Sequence, residues 1–209
     1  MTNAQAYPED LLEQALKLGT STIHEASGLA SSATDINIRP VWKGAAVAGA
    51  AYTLQCSPGD NLAIHHAMKK APAGSILVID TKGFMAGYWG EVLTVSAKTS
   101  GIRGLVTDGG VRDIDALEAH QFPVFARGVC MRGTLKASFG SVGEPLHFTG
   151  TPVKTGDLVV ADTDGVVIIP AEHVAETMAK SHARFQKEEK MMEELRQGAT
   201  TYDLLGLTG

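Results

Sequence analysis

The residues of this chain best suited to chemistry are an acid and an Arg-Asp pair, each beside a glycine-rich segment. Glu91 follows Gly90, and the pair Arg112-Asp113 follows Asp-Gly-Gly-Val, with residues 92–111 between the two features. Two carboxylates and a guanidinium can hold a hard divalent cation beside a carboxylate substrate. Loops that carry such groups are frequent sites of function. The spacing therefore predicts a site for a cation and a small acid.

The segment Gly90-Glu91-Val92-Leu93 is predicted to lead into a helix over 91–99. The first turn of a helix offers free backbone N–H groups at the positive end of its dipole, which favours binding of carboxylate or phosphate. A preceding glycine lets a ligand approach the backbone closely. The backbone of residues 90–93 is thus a candidate for binding one end of a small acid. An ordinary turn before a core helix explains the same residues.

The pair Arg112-Asp113 also has two interpretations. In one, Asp113 ligates a metal and Arg112 binds a substrate carboxylate through a bidentate pair of hydrogen bonds. In the other, Asp113 caps the following helix and Arg112 pairs with an exposed acid. The residue types alone do not separate the two.

The remaining motifs indicate little chemistry. His65-His66 and His24 lie on predicted helices without the HExxH spacing of a zinc site, which indicates structural or surface histidines. Asp162-Thr163-Asp164-Gly165 begins like a calcium loop but lacks the closing Glu, so it is predicted to be a hairpin turn. The sequence has no GxSxG and no GxGxxG after a strand, which argues against a hydrolase elbow and a nicotinamide site.

The elements that must position the site residues alternate between helices and buried strands. The apolar patterns predict helices over 8–18, 22–26, 60–68, 91–99, 115–119 and 170–197, and strands over 45–54, 75–79, 104–107, 123–126, 157–162 and 166–169. Residues 83–90 are predicted to be a glycine loop, and residues 108–110 a turn. Asp115 and Glu118 are predicted to form a capping box. In the long C-terminal helix, Met192 is among the predicted inner positions.

This alternation, followed by a late β-hairpin, predicts an α/β domain with layered helices and sheet. The 209 residues fit one domain, taken as 1–209, and 44% of them are apolar. The net charge of −5 argues against nucleic acid as a partner. The polar N-terminus and the lack of a long apolar run predict neither a signal segment nor a membrane span. Cys56 and Cys130, far apart in the sequence, are predicted to be reduced core thiols of a cytoplasmic protein.

Three segments of the chain resemble the 4-hydroxy-4-methyl-2-oxoglutarate aldolase family, which also contains the regulator of ribonuclease E activity A. They are 90–93, 104–113 and 154–167, and the resemblance extends over about 21–196. Aldolase-competent members carry an acid, twenty intervening residues and Arg-Asp, a pattern that Glu91 and Arg112-Asp113 match without a gap. The resemblance implies an αββα sandwich assembled as trimers or hexamers, with the active site at a subunit boundary.

The resemblance also implies the chemistry. It implies that the protein is a class II pyruvate aldolase, which would cleave 4-hydroxy-2-oxo diacids such as 4-hydroxy-4-methyl-2-oxoglutarate or 4-carboxy-4-hydroxy-2-oxoadipate. Asp113 would bind Mg²⁺ or Mn²⁺, with Glu91 supporting it through water. Arg112 and the backbone of 90–93 would hold the pyruvyl part of the substrate. Oxaloacetate decarboxylation is implied as a side activity, and Glu193 or Glu194 is a candidate for an acid donated to a neighbouring subunit.

Two other functions remain open on the sequence. A non-catalytic, protein-binding regulator could use the same fold, although family members of that type lack the acid found at Glu91. A phosphohistidine carrier domain of similar architecture would need an exposed reactive histidine, for which His147 is the candidate.

Overall fold

The computed structural model describes residues 7–207 and shows a mixed α/β domain. Residues 1–6 and 208–209 of the predicted 1–209 domain lie outside the described residues. No helix in the described part of the chain is long and apolar enough to cross a bilayer.

Strands occupy the centre of the described chain, and helices flank them. The strands are β1 (Arg39–Pro40), β2 (Val47–Gln55), β3 (Ser75–Asp80), β4 (Gly87–Trp89), β5 (Gly104–Val111), β6 (Val124–Val129), β7 (Ser141–Val142), β8 (Leu146–Phe148), β9 (Thr151–Val153), β10 (Leu158–Asp162) and β11 (Gly165–Ile169). The α-helices are α1 (Glu9–Leu18), α2 (Thr20–Ser27), α3 (Leu62–Ala67), α4 (Glu91–Thr99), α5 (Ile114–Ala119), α6 (Val174–Arg196) and α7 (Thr201–Leu204).

One sheet curls around the core in the order β1-β6-β5-β3-β2-β10-β11. Strands β2, β3, β5 and β6 run parallel, whereas β10 and β11 form the predicted antiparallel hairpin. The two ends of the sheet approach each other, because the Arg39 guanidinium donates to the Asp164 carbonyl and Ala33 bridges to Val167. The sheet is therefore nearly closed, like a barrel.

Three apolar clusters explain why the chain forms layers. One cluster fills the inside of the curled sheet and includes Val78 and Phe125. A second joins α3, α4 and α5 to the outer face of the parallel strands, and a third joins α1, α2 and α6 to the outer face of the hairpin. Helices thus cover the outer faces of the curled sheet, whose two sides face each other across the first cluster, which confirms the predicted αββα sandwich.

Four local predictions are corrected by the structure. Residues 108–110 are part of β5 and not a turn, and the predicted glycine loop over 83–90 contains β4. Helix α5 begins one residue before Asp115, so Asp115 and Glu118 form no capping box. Met192 is 45% exposed.

The C-terminal helix and the cysteines also differ in detail. A 3₁₀ turn at Ala171–His173 precedes α6, so the regular helix covers less than the predicted 170–197. Cys56 is a buried free thiol, and burial raises its pKa to about 12. Cys130 is also free, but it is only partly buried.

Candidate active site

The sheet topology brings the two predicted site segments together. Strand β4 pairs in parallel with β5, so the carboxyl ends of both strands lie at the same edge. Gly90 and Glu91 follow β4 directly, and Arg112 and Asp113 follow β5. The Glu91 backbone N–H donates to Asp113 Oδ2 at 3.0 Å, and the Arg112 N–H donates to the Trp89 carbonyl at 2.9 Å. Two segments with twenty residues between them in the sequence are thus in direct contact in the fold.

Asp113 takes an unusual backbone conformation that directs its carboxylate toward α4. Its φ of 60° and ψ of 42° are left-handed, a region that few non-glycine residues occupy. Asp113 stands at the N-cap position of α5 but makes no side-chain capping bond there. Its carboxylate accepts from the start of α4 instead. The capping interpretation of Asp113 is therefore wrong for α5, and the carboxylate lies in the predicted site.

Gly90 provides the space that this carboxylate needs. A Cβ atom built at Gly90 would lie 2.3 Å from Asp113 Oδ2 and 3.2 Å from Arg112 Cγ. Contacts under 3.0 Å essentially never occur for a real Cβ. Gly90 has an extended backbone (φ −168°, ψ −165°), so close approach rather than backbone freedom requires glycine here.

A cavity of about 320 Å³ opens at this edge of the sheet. The predicted residues that line it are Gly90, Val92, Leu93, Arg112 and Asp113. The Arg112 Nε lies 3.8 Å from Asp113 Oδ2, and about half of each side chain is exposed. A ligand in the cavity can therefore contact a guanidinium, a carboxylate and the first turn of a helix.

Glu91 contributes differently from the other predicted residues. Its backbone N–H anchors Asp113, but its side chain is 54% exposed and does not line the cavity. One carboxylate oxygen lies 3.4 Å from His120 Nε2. The Glu91 carboxylate is thus beside the site rather than inside the cavity of the single chain.

The sequence analysis missed two polar residues of the cavity wall, Asn61 and His65. Asn61 is only 5% exposed and donates through Nδ2 to the Tyr88 carbonyl at 3.2 Å, which leaves its buried Oδ1 without a partner. His65 Nε2 is also buried without a partner. A buried polar atom without a partner is costly, so both atoms are suited to contacting a ligand.

His65 was predicted to be structural or on the surface, and the structure places it on the cavity wall. Burial lowers the pKa of His65, and the positive charges of Lys136 and His66 lower it further. The imidazole is therefore neutral near pH 7. No sequence motif predicts this position, because His65 lacks any metal-ligand spacing.

Lys136 is the third missed residue of the cavity. It lies in an irregular segment, residues 130–140, which we call the 130–140 loop. With Arg112 it gives the cavity wall two basic side chains, against the single acid Asp113. The cavity is therefore suited to a ligand with more than one negative charge.

The donor set allows a hydrated cation and not a closed protein cage. Among residues 7–207, no group of three or more His, Cys, Asp or Glu side chains could hold a metal ion. Asp113 Oδ2 accepts from the Glu91 N–H, and no residue in the described part of the chain donates to its Oδ1. Mg²⁺ is usually held by one or two carboxylates with several waters and ligand oxygens, so Asp113 with nearby Glu91 fits such an ion.

Residues 20–168 match the family model of the RraA-like proteins, described as Aldolase/RraA. A relative from Halalkalibacterium halodurans, named "Putative 4-hydroxy-4-methyl-2-oxoglutarate aldolase", is 36% identical over 185 residues, which are 87% of this chain and 88% of the relative.

Two solved structures are similar throughout. An uncharacterized protein from Pseudomonas syringae pv. tomato has a TM-score of 0.82 and 28% identity, with 94% of this chain and 96% of that chain covered. Streptomyces coelicolor RraAS2, described as an unusual member of the RNase ES inhibitor RraA protein family, has a TM-score of 0.79 and 25% identity over 90% of this chain and 98% of its own.

Proposed function

This chain belongs to the RraA-like family, and we propose that it is a divalent-metal-dependent lyase, a class II pyruvate aldolase. Its proposed substrates are 4-hydroxy-2-oxo diacids such as 4-hydroxy-4-methyl-2-oxoglutarate or 4-carboxy-4-hydroxy-2-oxoadipate. The products are pyruvate and a second oxo acid. The observation that carries the proposal is the meeting of Arg112, Asp113 and the start of α4 in one cavity, with Glu91 at its edge.

The charges of the cavity support a diacid substrate. The Arg112 guanidinium matches a carboxylate in a two-point contact, and Lys136 offers a second positive charge for the distal carboxylate. The Glu91 N–H is occupied by Asp113, so the first-turn amides of Val92 and Leu93 are the ones free to bind the pyruvyl end. The buried Asn61 Oδ1 can accept from a substrate hydroxyl.

Asp113 is the residue that would hold Mg²⁺ or Mn²⁺, and Glu91 would support the ion through water. When bound, such an ion supplies Lewis acidity toward the 2-oxo acid. Arg112 adds a positive charge that stabilises the negative charge developing on the pyruvyl oxygen. We propose that Glu91 and Arg112 organise the water that takes the proton from the C4 hydroxyl.

In the proposed cleavage, the C3–C4 bond breaks once the C4 hydroxyl proton has left. The oxygen electrons form the new carbonyl of the second product, and the bond electrons pass into pyruvate enolate, which takes up a proton. Oxaloacetate loses carbon dioxide to give the same enolate. We therefore propose oxaloacetate decarboxylation as a side activity.

A Glu91→Gln variant tests this function by comparing the two reactions. Gln keeps the size and helix propensity of Glu, so α4 and its anchoring N–H should survive. Aldol cleavage should fall by about 10²–10⁴-fold, the usual value of a positioned acid or base. Decarboxylation has no hydroxyl proton to remove and should fall less. Wild-type protein that releases no pyruvate from either substrate class, with Mg²⁺ or Mn²⁺ present, would refute the proposal.

A non-catalytic regulator is the second candidate, because the similar Streptomyces protein is described as belonging to an RNase inhibitor family. A regulator of this kind would bind a ribonuclease and release no pyruvate. Measuring both properties on one preparation separates the two functions. The acid at position 91, beside an intact Arg-Asp pair, favours the lyase.

We also propose that the protein works as a cytoplasmic homotrimer or homohexamer and contacts neither nucleic acid nor membrane. Large apolar side chains near the cavity support the assembly, since Val92 is 84% exposed and Leu135 is 70% exposed. Exposed apolar area of this kind is typical of interfaces. Light scattering coupled to size-exclusion chromatography measures the assembly directly, and a monomeric mass would contradict it.

A further inference from the structure

A buried carboxylate outside the cavity is hydrogen-bonded to two segments of its wall. Asp60 is 3% exposed and does not line the cavity. Its Oδ1 accepts from the Leu62 N–H at 2.9 Å, at the start of α3. Its Oδ2 accepts from two N–H groups of the 130–140 loop, Ala137 at 2.6 Å and Ser138 at 2.9 Å. One side chain thus joins the helix of Asn61 and His65 to the loop of Lys136.

The anchored stretch of the loop includes the residues on both sides of Lys136. On the N-terminal side, Leu135 N–H donates to the Gly59 carbonyl at 2.8 Å, and the Leu135 carbonyl accepts from Asn61 N–H at 3.0 Å. On the C-terminal side, the hydrogen bonds to the Asp60 carboxylate fix Ala137 and its neighbour. Lys136 lies between the two attachments. A loop of mostly exposed residues without regular secondary structure therefore holds Lys136 at the cavity wall.

The electrostatics agree with this geometry. Burial disfavours the charged form of Asp60, but the three backbone donors outweigh it, and the charge of Lys136 adds to their effect. The pKa of Asp60 therefore lies below its ordinary value. The carboxylate is ionised near pH 7 and is a strong acceptor for the loop.

We propose that Asp60 is a positioning residue that orients Lys136 so that its ammonium group binds the second carboxylate of a 2-oxo diacid. This inference rests on the proposed function of the cavity, because it assigns Lys136 to that carboxylate. Asp60 itself contacts no substrate. It acts by holding the loop, so its loss should affect diacids more than monoacids.

The test compares the binding of 2-oxoglutarate with the binding of pyruvate. 2-Oxoglutarate is a diacid that cannot be cleaved, because it has no 4-hydroxyl group. Isothermal titration calorimetry with Mg²⁺ present gives both affinities without any turnover. Asp60→Asn keeps the shape but replaces one acceptor oxygen with a donor. We expect 2-oxoglutarate binding to weaken by about tenfold, as displaced binding groups typically do, and pyruvate binding to change little.

Two further variants separate positioning from simple loss of stability. Lys136→Met alone should weaken 2-oxoglutarate binding to a similar extent, and adding Asp60→Asn to it should cause little further loss. Asp157→Asn is the matched control, because Asp157 is 4% exposed and accepts from the Lys154 and Ala171 N–H groups away from the cavity. It should lower the melting temperature without changing either affinity.

Asp60→Ser serves if the Asn variant does not fold, because a hydroxyl can still accept from the start of α3 while releasing the loop. The inference would be overturned if Asp60→Asn weakened the binding of both ligands equally or left 2-oxoglutarate binding unchanged. It would also be overturned if the loss of affinity in the double variant were the product of the two single losses. Wild-type protein that fails to bind 2-oxoglutarate would overturn it as well. Pyruvate release by the wild type decides the proposed function separately from all of these outcomes.

Discussion

Replacement of Gly90 by alanine tests whether the Asp113 carboxylate must lie where the structure holds it. The new Cβ would stand 2.3 Å from Asp113 Oδ2, so the carboxylate must move by about 1 Å to reach ordinary contact. Its 3.0 Å hydrogen bond from the Glu91 N–H is then lost. Alanine adopts the extended backbone of Gly90 without strain, so the displacement alone is tested.

The effect on activity should be much larger than the effect on stability. Misplacing a binding or reacting group by about 1 Å costs up to roughly 100-fold, so kcat/KM for pyruvate release should fall by about 10- to 100-fold. The lost hydrogen bond is partly exposed, with 42% of the Asp113 side chain accessible, and contributes about 1 kcal/mol to folding. A loss of that size lowers the melting temperature by about 2–4 °C.

Gly128→Ala is the matched control for this change. A Cβ at Gly128 meets only Met85 Cε, at the ordinary distance of 3.5 Å. Steady-state assays of both variants, with Mg²⁺ titrated at fixed substrate, should show a loss for Gly90→Ala alone. If Gly90→Ala retains wild-type kcat/KM and Mg²⁺ response, the position of the Asp113 carboxylate does not matter to the reaction, and the metal assignment loses its structural basis.

Four further outcomes are expected. Chelation should abolish pyruvate release, and Mg²⁺ or Mn²⁺ should restore it; full activity in metal-free protein excludes the assigned cofactor. Asp113→Asn should weaken Mg²⁺ binding in calorimetry while circular dichroism stays native, and an unchanged affinity would remove Asp113 from the ligands. Arg112→Lys should lower kcat/KM by at least about tenfold, because lysine lacks the planar guanidinium with its paired N–H donors. An unchanged kcat/KM would assign Arg112 to an ion pair. Because the folded state holds His65 neutral, the free energy of unfolding should decrease as pH falls through about 6.5, and His65→Gln should reduce that decrease in urea titrations at pH 5.5 and 7.5.

Local sequence signals predicted those elements that local chemistry determines. The Asp-Gly turn between two apolar runs gave the β10–β11 hairpin, and helix α4 has the predicted bounds of Glu91–Thr99. The meeting of Glu91 with Arg112-Asp113 had no such signal, because it depends on the parallel pairing of β4 with β5, and residues 87–89 of β4 were predicted to be loop. Contacts such as that between Asn61 and the Tyr88 carbonyl have no local signal, since each depends on the packing of distant segments.

The glycines of β5 show where a local signal misleads. Asp-Gly-Gly was predicted to be a turn because glycine commonly supplies positive φ, but neither Gly109 nor Gly110 has one. A Cβ at Gly110 would lie 2.7 Å from Cys130 Cβ, and one at Gly109 would lie 2.9 Å from Thr81 and Tyr88 side-chain atoms. These glycines serve close packing against neighbouring segments, a requirement that only the folded sheet creates.

Asp113 shows why the sequence left its two roles open. A residue that follows a strand and precedes a helix normally caps that helix, and Asp is among the best capping residues. The left-handed backbone of Asp113 instead directs the carboxylate toward α4, a conformation that costs on the order of 1 kcal/mol or more for a non-glycine residue. The hydrogen bond from Glu91 N–H and the space left by Gly90 offset that cost. Since an ordinary cap needs none of these features, their combination favours a site residue over a structural one.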